Sequence, residues 1–101
     1  MNQEIDQQES AAPRLTLFVT GDAPRSRRAR VNLKAALQTV GFDPADLLVI
    51  DLVEQPEQSI KRSIFATPAL MLMRGDGSID ATYGDLSDEE KLLDFLSPLA
   101  H

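Results

Sequence analysis

The chain has 101 residues, 43% of them apolar and 26% charged, with a formal net charge of −6. One domain of this length can fold alone, and with no cysteine and a single histidine, His101, neither disulfides nor a thiolate or imidazole metal cluster is expected. No run approaches the ~20 apolar residues of a membrane span, the first dozen residues lack a signal-peptide pattern, and the excess of carboxylates opposes broad nucleic-acid binding, so a soluble, cytoplasmic protein without a cofactor is expected.

Residues 1–13 are polar, with Gln3, Glu4, Gln7, Gln8 and Glu9, and cannot bury enough apolar surface to order themselves. They are expected to form a flexible tail, leaving residues 14–101 as the domain. Residues 15–19 (LTLFV) form a first strand. Asp22 then offers an N-cap oxygen, with Pro24 in the first helical turn, where a missing amide donor costs nothing. Ala29, Leu33, Leu37 and Val40 repeat at helical spacing, and Gly41 can supply the left-handed residue that ends the helix.

After a turn through Asp43 and Pro44, residues 47–53 (LLVIDLV) are apolar almost throughout. That pattern predicts a central strand buried on both faces, parallel to the first through a right-handed crossover. Pro56 opens a short element over residues 57–65, in which Ile60 and Ile64, four apart, predict two helical turns with one buried stripe. Residues 69–73 (ALMLM) and 79–83 (IDATY) flank Arg74, Gly75, Asp76, Gly77 and Ser78, a turn that suits a hairpin. Ser87 and Glu90 form an S-x-x-E capping box before a last helix carrying Leu92, Leu93, Leu96 and Leu99 on one side. Phe18 and Phe65 are assigned to the core.

The order βαβαββα, a parallel half joined to an antiparallel hairpin in a mixed four-stranded sheet, is the α/β thioredoxin-like arrangement. A thioredoxin-like enzyme carries its reactive cysteine after the first strand, where this chain has residues 21–26 (GDAPRS). A thiolate is the nucleophile of that chemistry and no other side chain here replaces it. In this architecture the bond from Thr67 to Pro68 is expected to be cis. Ser26 could stand in for the thiol of a glutathione-type enzyme, but no residues remain to build a second domain for the electrophile. The terminal His101 cannot be placed to activate Ser26 or Ser63 for hydrolysis.

Charge is segregated. Arg25, Arg27, Arg28, Arg30 and Lys34 crowd the first helix, while Asp85, Asp88, Glu89, Glu90 and Asp94 crowd the last. Two readings stand open: solvated faces, or docking surfaces. Asp51, at the end of the second strand, either meets a ligand or caps a nearby loop.

Residues 17–21 (LFVTG) with Pro24, Ser26, Arg28 and Ala29, residues 49–51 (VID) followed by Pro56, residues 66–70 (ATPAL) and residues 84–87 (GDLS) together resemble the KaiB family over residues 15–96. The resemblance implies a non-catalytic adaptor that binds the hexameric ATPase KaiC. In cyanobacteria such proteins sequester KaiA and compete with a kinase whose sensory domain looks similar. It also implies two folds, a tetrameric resting state and a thioredoxin-like monomer that engages the ATPase. Partner binding is expected at Gly21, Asp22, Arg25 and Arg28, with Pro68, Gly84 and Asp85 as fold-switch or structural positions.

Three departures qualify the carry-over. Arg74 to Ser78 replace a proline run of clock members, so the hairpin should pair and the thioredoxin-like state should be favoured from the outset. Leu48 stands where those members usually have lysine, and of the clustered arginines only Arg28 falls on a basic family position. The expected role is therefore that of a homologue outside the circadian oscillator, in circadian or stress-related regulation, with a KaiC-type ATPase as partner and a homo-oligomer, dimer or tetramer, compatible with the pattern. A sensory or scaffold domain partnering a histidine kinase is the alternative.

Overall fold

The computed structural model describes residues 13–100; the expected N-terminal tail lies almost wholly outside the described residues. Strand β1 (Arg14–Val19) is buried at every position after Arg14. It pairs in parallel with β2 (Leu47–Asp51) on one side and antiparallel with β3 (Ala69–Met73) on the other. Strand β4 (Ile79–Tyr83) completes the sheet, in the order β2-β1-β3-β4. The mixed four-stranded sheet expected from the element order is present, but its centre is not β2.

The second strand is an edge. It stops at Asp51, and Leu48 and Val49 are 52% and 38% exposed. The apolar run misled because it continues past the strand: the amides of Val53, Glu54 and Gln55 all turn back onto Asp51, the first to its carboxylate and the others to its carbonyl. The hairpin docks on the far side of β1 and makes β1 and β3 the two interior strands.

Helix α1 (Pro24–Val40) starts with proline at its first position and ends at Gly41, whose φ of 81° is the left-handed conformation anticipated there. Its N-cap is Ala23 rather than Asp22. The chain leaves β1 in a tight turn, with Gly21 at φ 48° and the Ala23 amide donating to the Thr20 carbonyl, and this places the cap one residue beyond Asp22. Ala29, Leu33, Ala36 and Leu37 pack against Leu15, Leu17, Val19, Leu70 and Leu72 of the sheet. Helix α3 (Glu89–Phe95) joins the same layer through Leu92, with Leu96 and Leu99 following it into a single 3₁₀ turn. Its cap is Asp88, which accepts from the Lys91 amide at 3.1 Å, and not Ser87. The Ser87 amide is already engaged by the Asp85 carboxylate, so the helix begins one residue later.

The opposite sheet face is thinly covered. Helix α2 (Glu57–Lys61) has five residues, and Ile64 behind it closes a small second core with Phe18, Ile50 and Ala69. Ile60 and Phe65 are 84% and 89% exposed, against the expected buried stripe and core phenylalanine. Four-residue spacing aligns side chains only while a helix continues. Here the helix stops at Lys61, and Ser63 at φ 56° rotates the chain so that Ile64 turns inward and Phe65 outward. The Thr67–Pro68 bond is cis, as expected. The hairpin turn is closed by the Arg74 amide on the Ser78 carbonyl and by Asp76 accepting from the Ser78 amide and hydroxyl, with Gly77 at φ 90°.

Truncating Leu37 or Leu72, both fully buried, leaves a cavity between two layers and should cost about 2–5 kcal/mol. Phe65→Ala should change stability by less than about 0.5 kcal/mol. Urea denaturation of the three variants checks this; a Phe65→Ala loss as large as that of Leu37→Ala would contradict the exposed placement.

Candidate functional site

Two loops and a helix start converge where β1 ends. The Thr20 amide donates to the Ser26 hydroxyl at 3.1 Å, locking the strand end to the first turn of α1, and Ser26 is 1% exposed. Its oxygen is occupied and buried, which removes it as a nucleophile toward anything in solution. The Thr20 and Thr67 hydroxyls share a hydrogen bond, joining this loop to the segment before Pro68. The loop that holds the catalytic cysteine of a thioredoxin enzyme is present in shape, and a glycine, an aspartate and a proline occupy it.

Asp51 answers the open question about its role. Its Oδ1 accepts from the Gly21 amide and the Val53 amide, both at 2.9 Å. One carboxylate oxygen thus ties the β1–α1 loop to the loop leaving β2, the loop-capping reading. The Gly21 amide first, then the Val53 amide, hold the Asp51 carboxyl below its ordinary value. A side chain at Gly21 would make only an ordinary contact with Val53, at 3.7 Å from a Cβ, so the positive φ of 48° is what favours glycine there.

The arginines are fastened to the other half of the chain. Arg28 Nε donates to Asp85 Oδ2 at 3.1 Å, and Asn32, one turn further along α1, donates from Nδ2 to the Asp85 carbonyl at 2.9 Å. The Ser87 hydroxyl, then the Arg28 guanidinium, hold the Asp85 carboxyl below its ordinary value. Gly84, at φ 107°, donates its amide to the Pro68 carbonyl at 2.9 Å, and Arg25 lies over it, 3.6 Å from where a Cβ would be. Arg25, Gly84, Asp85 and Lys91 are among the residues lining a shallow cavity of about 230 Å³.

Of the seven residues singled out in the sequence, Arg25, Arg28, Pro68, Gly84 and Asp85 are therefore brought together at one end of the sheet, and Gly21 lies at the same end, tied to Asp51. Gly21 binds Asp51; Arg25 and Arg28 meet Gly84 and Asp85; Gly84 binds Pro68. Asp22 is exposed beside them and takes no part in capping. Asn32 went unnoticed in the sequence, although its spacing of four from Arg28 puts it on the same helical face. Val53 and Phe65, 64% and 89% exposed, add apolar surface to loops at this end, which no periodicity announces.

The fold and the loop define a thioredoxin-like domain without a redox centre. Mitochondrial thioredoxin 3 from Saccharomyces cerevisiae superposes with a TM-score of 0.67 at 16% identity, over 90% of this chain and 85% of that one. The N-terminal domain of Synechococcus elongatus SasA gives a TM-score of 0.66 at 26% identity, over 89% and 84%. The KaiB domain model matches residues 16–98. The circadian clock oscillator protein KaiB of Synechococcus sp. strain RCC307 is 37% identical over 79 residues, 78% of this chain and 71% of that protein. The chain belongs to the KaiB family.

Because folding lowers the Asp51 pKa, its contribution to stability is complete above the ordinary value of 3.8 and is lost as pH falls through the lower folded-state value. Asp51→Asn should be less stable than the parent by a constant amount above about pH 5, and the two should converge on acidification. Urea midpoints measured from neutral pH to pH 2 check this; a gap that widens toward low pH would contradict it.

Proposed function

We propose that the chain is a non-catalytic adaptor of the KaiB type whose partner is a KaiC-type ATPase ring, acting in circadian or stress-related regulation. The observation that carries this reading is the surface at the C-terminal end of β1: a loop without a thiol, flanked by exposed Arg25 and by Arg28, which Asp85 orients. Planar, pre-oriented guanidinium groups are suited to partner carboxylates, and holding them in place lowers the entropy lost on docking. Family membership supports the choice of partner. Absence of a thiol anywhere in the chain supports binding over redox catalysis.

The surface consists of Gly21, Asp22, Arg25 and Arg28, continued by the exposed edge of β2. Gly84, Asp85 and Pro68 support it from behind. We infer further that the thioredoxin-like arrangement is the resting state, since the Arg74–Asp80 ion pair at 2.7 Å and the Gly77 turn favour a paired hairpin. A second reading, partnership with a histidine kinase, is favoured by the likeness to the SasA N-terminal domain.

Size-exclusion chromatography with light scattering tests the main reading, on the chain alone and after hours with a KaiC-type ATPase from the same cell and ATP. A co-eluting complex is expected, and the free run reports whether the chain is a monomer, dimer or tetramer. Absence of a complex would shift weight to the kinase partner. Arg25→Glu with Arg28→Glu should weaken the complex at least about tenfold while the circular dichroism melt still reports a folded domain. Undiminished binding would remove this surface from the proposal. In the free protein, amide spectra should show β3 and β4 paired; an unpaired hairpin would contradict the resting state inferred.

A further inference from the structure

The sheet face opposite α1 and α3 has a second feature, at the end of β1 remote from the Gly21 loop. By register, Leu48 lies beside Thr16, Thr16 beside Met71, and Met73 beside Ile79, all on the α2 side. Helix α2 has five residues, about 7.5 Å at 1.5 Å per residue, against strands of about 17–20 Å. It covers only the half of the face that holds Phe18, Ile50 and Ala69. The other half is an open groove of about 540 Å³ whose floor is Leu48, Thr16, Met71, Met73 and Ile79, apolar but for the threonine. Leu48 and Ile79 are each 52% exposed.

The rim of this groove is basic. Arg14 enters from the start of β1, and Lys61 and Arg62 from the end of α2; no carboxylate lines it, in a chain whose net charge is −6. An apolar strip on a sheet, one helix short of a full layer, accepts an amphipathic helix. Among the described residues these three cations have no ion-pair partner, and they select a helix whose flanks are acidic. Two copies meeting symmetrically through this groove would set the same cations against each other. The floor offers no aromatic ring on which a nucleic-acid base could stack.

We propose that this groove is a docking site for an acidic amphipathic helix of a partner protein, which completes the second layer of the sheet. The site lies a strand's length, about 20 Å, from Arg25 and Arg28, and its ligand is argued from the groove alone, although Leu48 also belongs to the exposed β2 edge of the ATPase surface.

The test uses the full chain and a fluorescein-labelled 18-residue peptide with leucine on one helical face and glutamate on the other. Its controls are a scrambled peptide of the same composition and one with lysine for glutamate. Fluorescence anisotropy should show binding of the first peptide only. Lys61→Glu with Arg62→Glu should weaken it at least tenfold, Leu48→Gln should do the same through the floor, and the Arg25 and Arg28 reversals should leave it unchanged. Lys61, Arg62 and Leu48 are exposed, and circular dichroism confirms that the variants are folded. No binding up to about 1 mM, equal binding of the scrambled or lysine peptide, or indifference to the rim and floor variants would overturn the proposal. So would light scattering that shows a dimer broken by Leu48→Gln, or binding of a single-stranded 20-mer DNA lost with the rim variants.

Discussion

Strand β1 is paired along both edges and buried on both faces, and among the described residues no other element satisfies all four conditions, since β3 is paired on both edges but fully buried on one face only. Its parallel edge accepts β2 through the α1 crossover, and its antiparallel edge accepts the hairpin, so the two halves of the sequence join into one sheet there. Leu15, Leu17 and Val19 point into the layer made by α1 and α3, and Phe18 points into the smaller cluster beneath α2. The apolar area on the first side far exceeds that on the second. Most of the hydrophobic stabilisation therefore lies in one layer, and the other face is left partly bare.

Much of the architecture was legible because it rests on local rules. Helical spacing from Ala29 to Val40 located α1, Gly41 located its end, and the Gly77 turn located the hairpin, each through conformational preferences that operate within a few residues. The strand order was not legible in the same way. A continuous apolar run distinguishes a buried strand from an amphipathic one, but residues 47–53 combine a five-residue edge strand with a turn centred on the Asp51 carboxylate. Which strand becomes central depends on where the hairpin docks, a long-range choice that leaves no periodic mark. The errors at Asp22 and Ser87 share a cause. Both have the right chemistry for a cap, but a tight turn at Gly21 and an Asp85–Ser87 hydrogen bond move each helix start one residue on.

The candidate site was legible as residue types and not as a network. Basic residues near the start of α1 and the segment containing Gly84 and Asp85 stand out in the sequence as separate features. Only the fold shows that they touch, with Arg28 and Asn32 holding the two ends of one residue, Asp85. Phe65 illustrates the reverse case. Its size predicts burial, and the positive φ of Ser63, two residues earlier, sends it into solvent. A side chain's hydrophobicity sets the cost of exposing it, whereas the backbone decides whether that cost is met.

The way Arg28 is held would link the proposed docking to the state of the fold. Arg28 and Asn32 belong to the N-terminal half, and their partner Asp85 belongs to the segment leaving the hairpin; Gly84 in turn is bound to the Pro68 carbonyl in front of β3. The Arg28–Asp85 pair is exposed and contributes little alone. The effect of these contacts comes from geometry: all three exist only while β3 and β4 are paired against β1. Any rearrangement of residues 69–100 would release the Arg28 guanidinium and the Asn32 amide together, leaving the helix basic but no longer ordered toward a partner. In the proposed adaptor the Arg28 surface would depend on the conformation of the C-terminal half, whereas Asp51 has both its partners, Gly21 and Val53, in the N-terminal half.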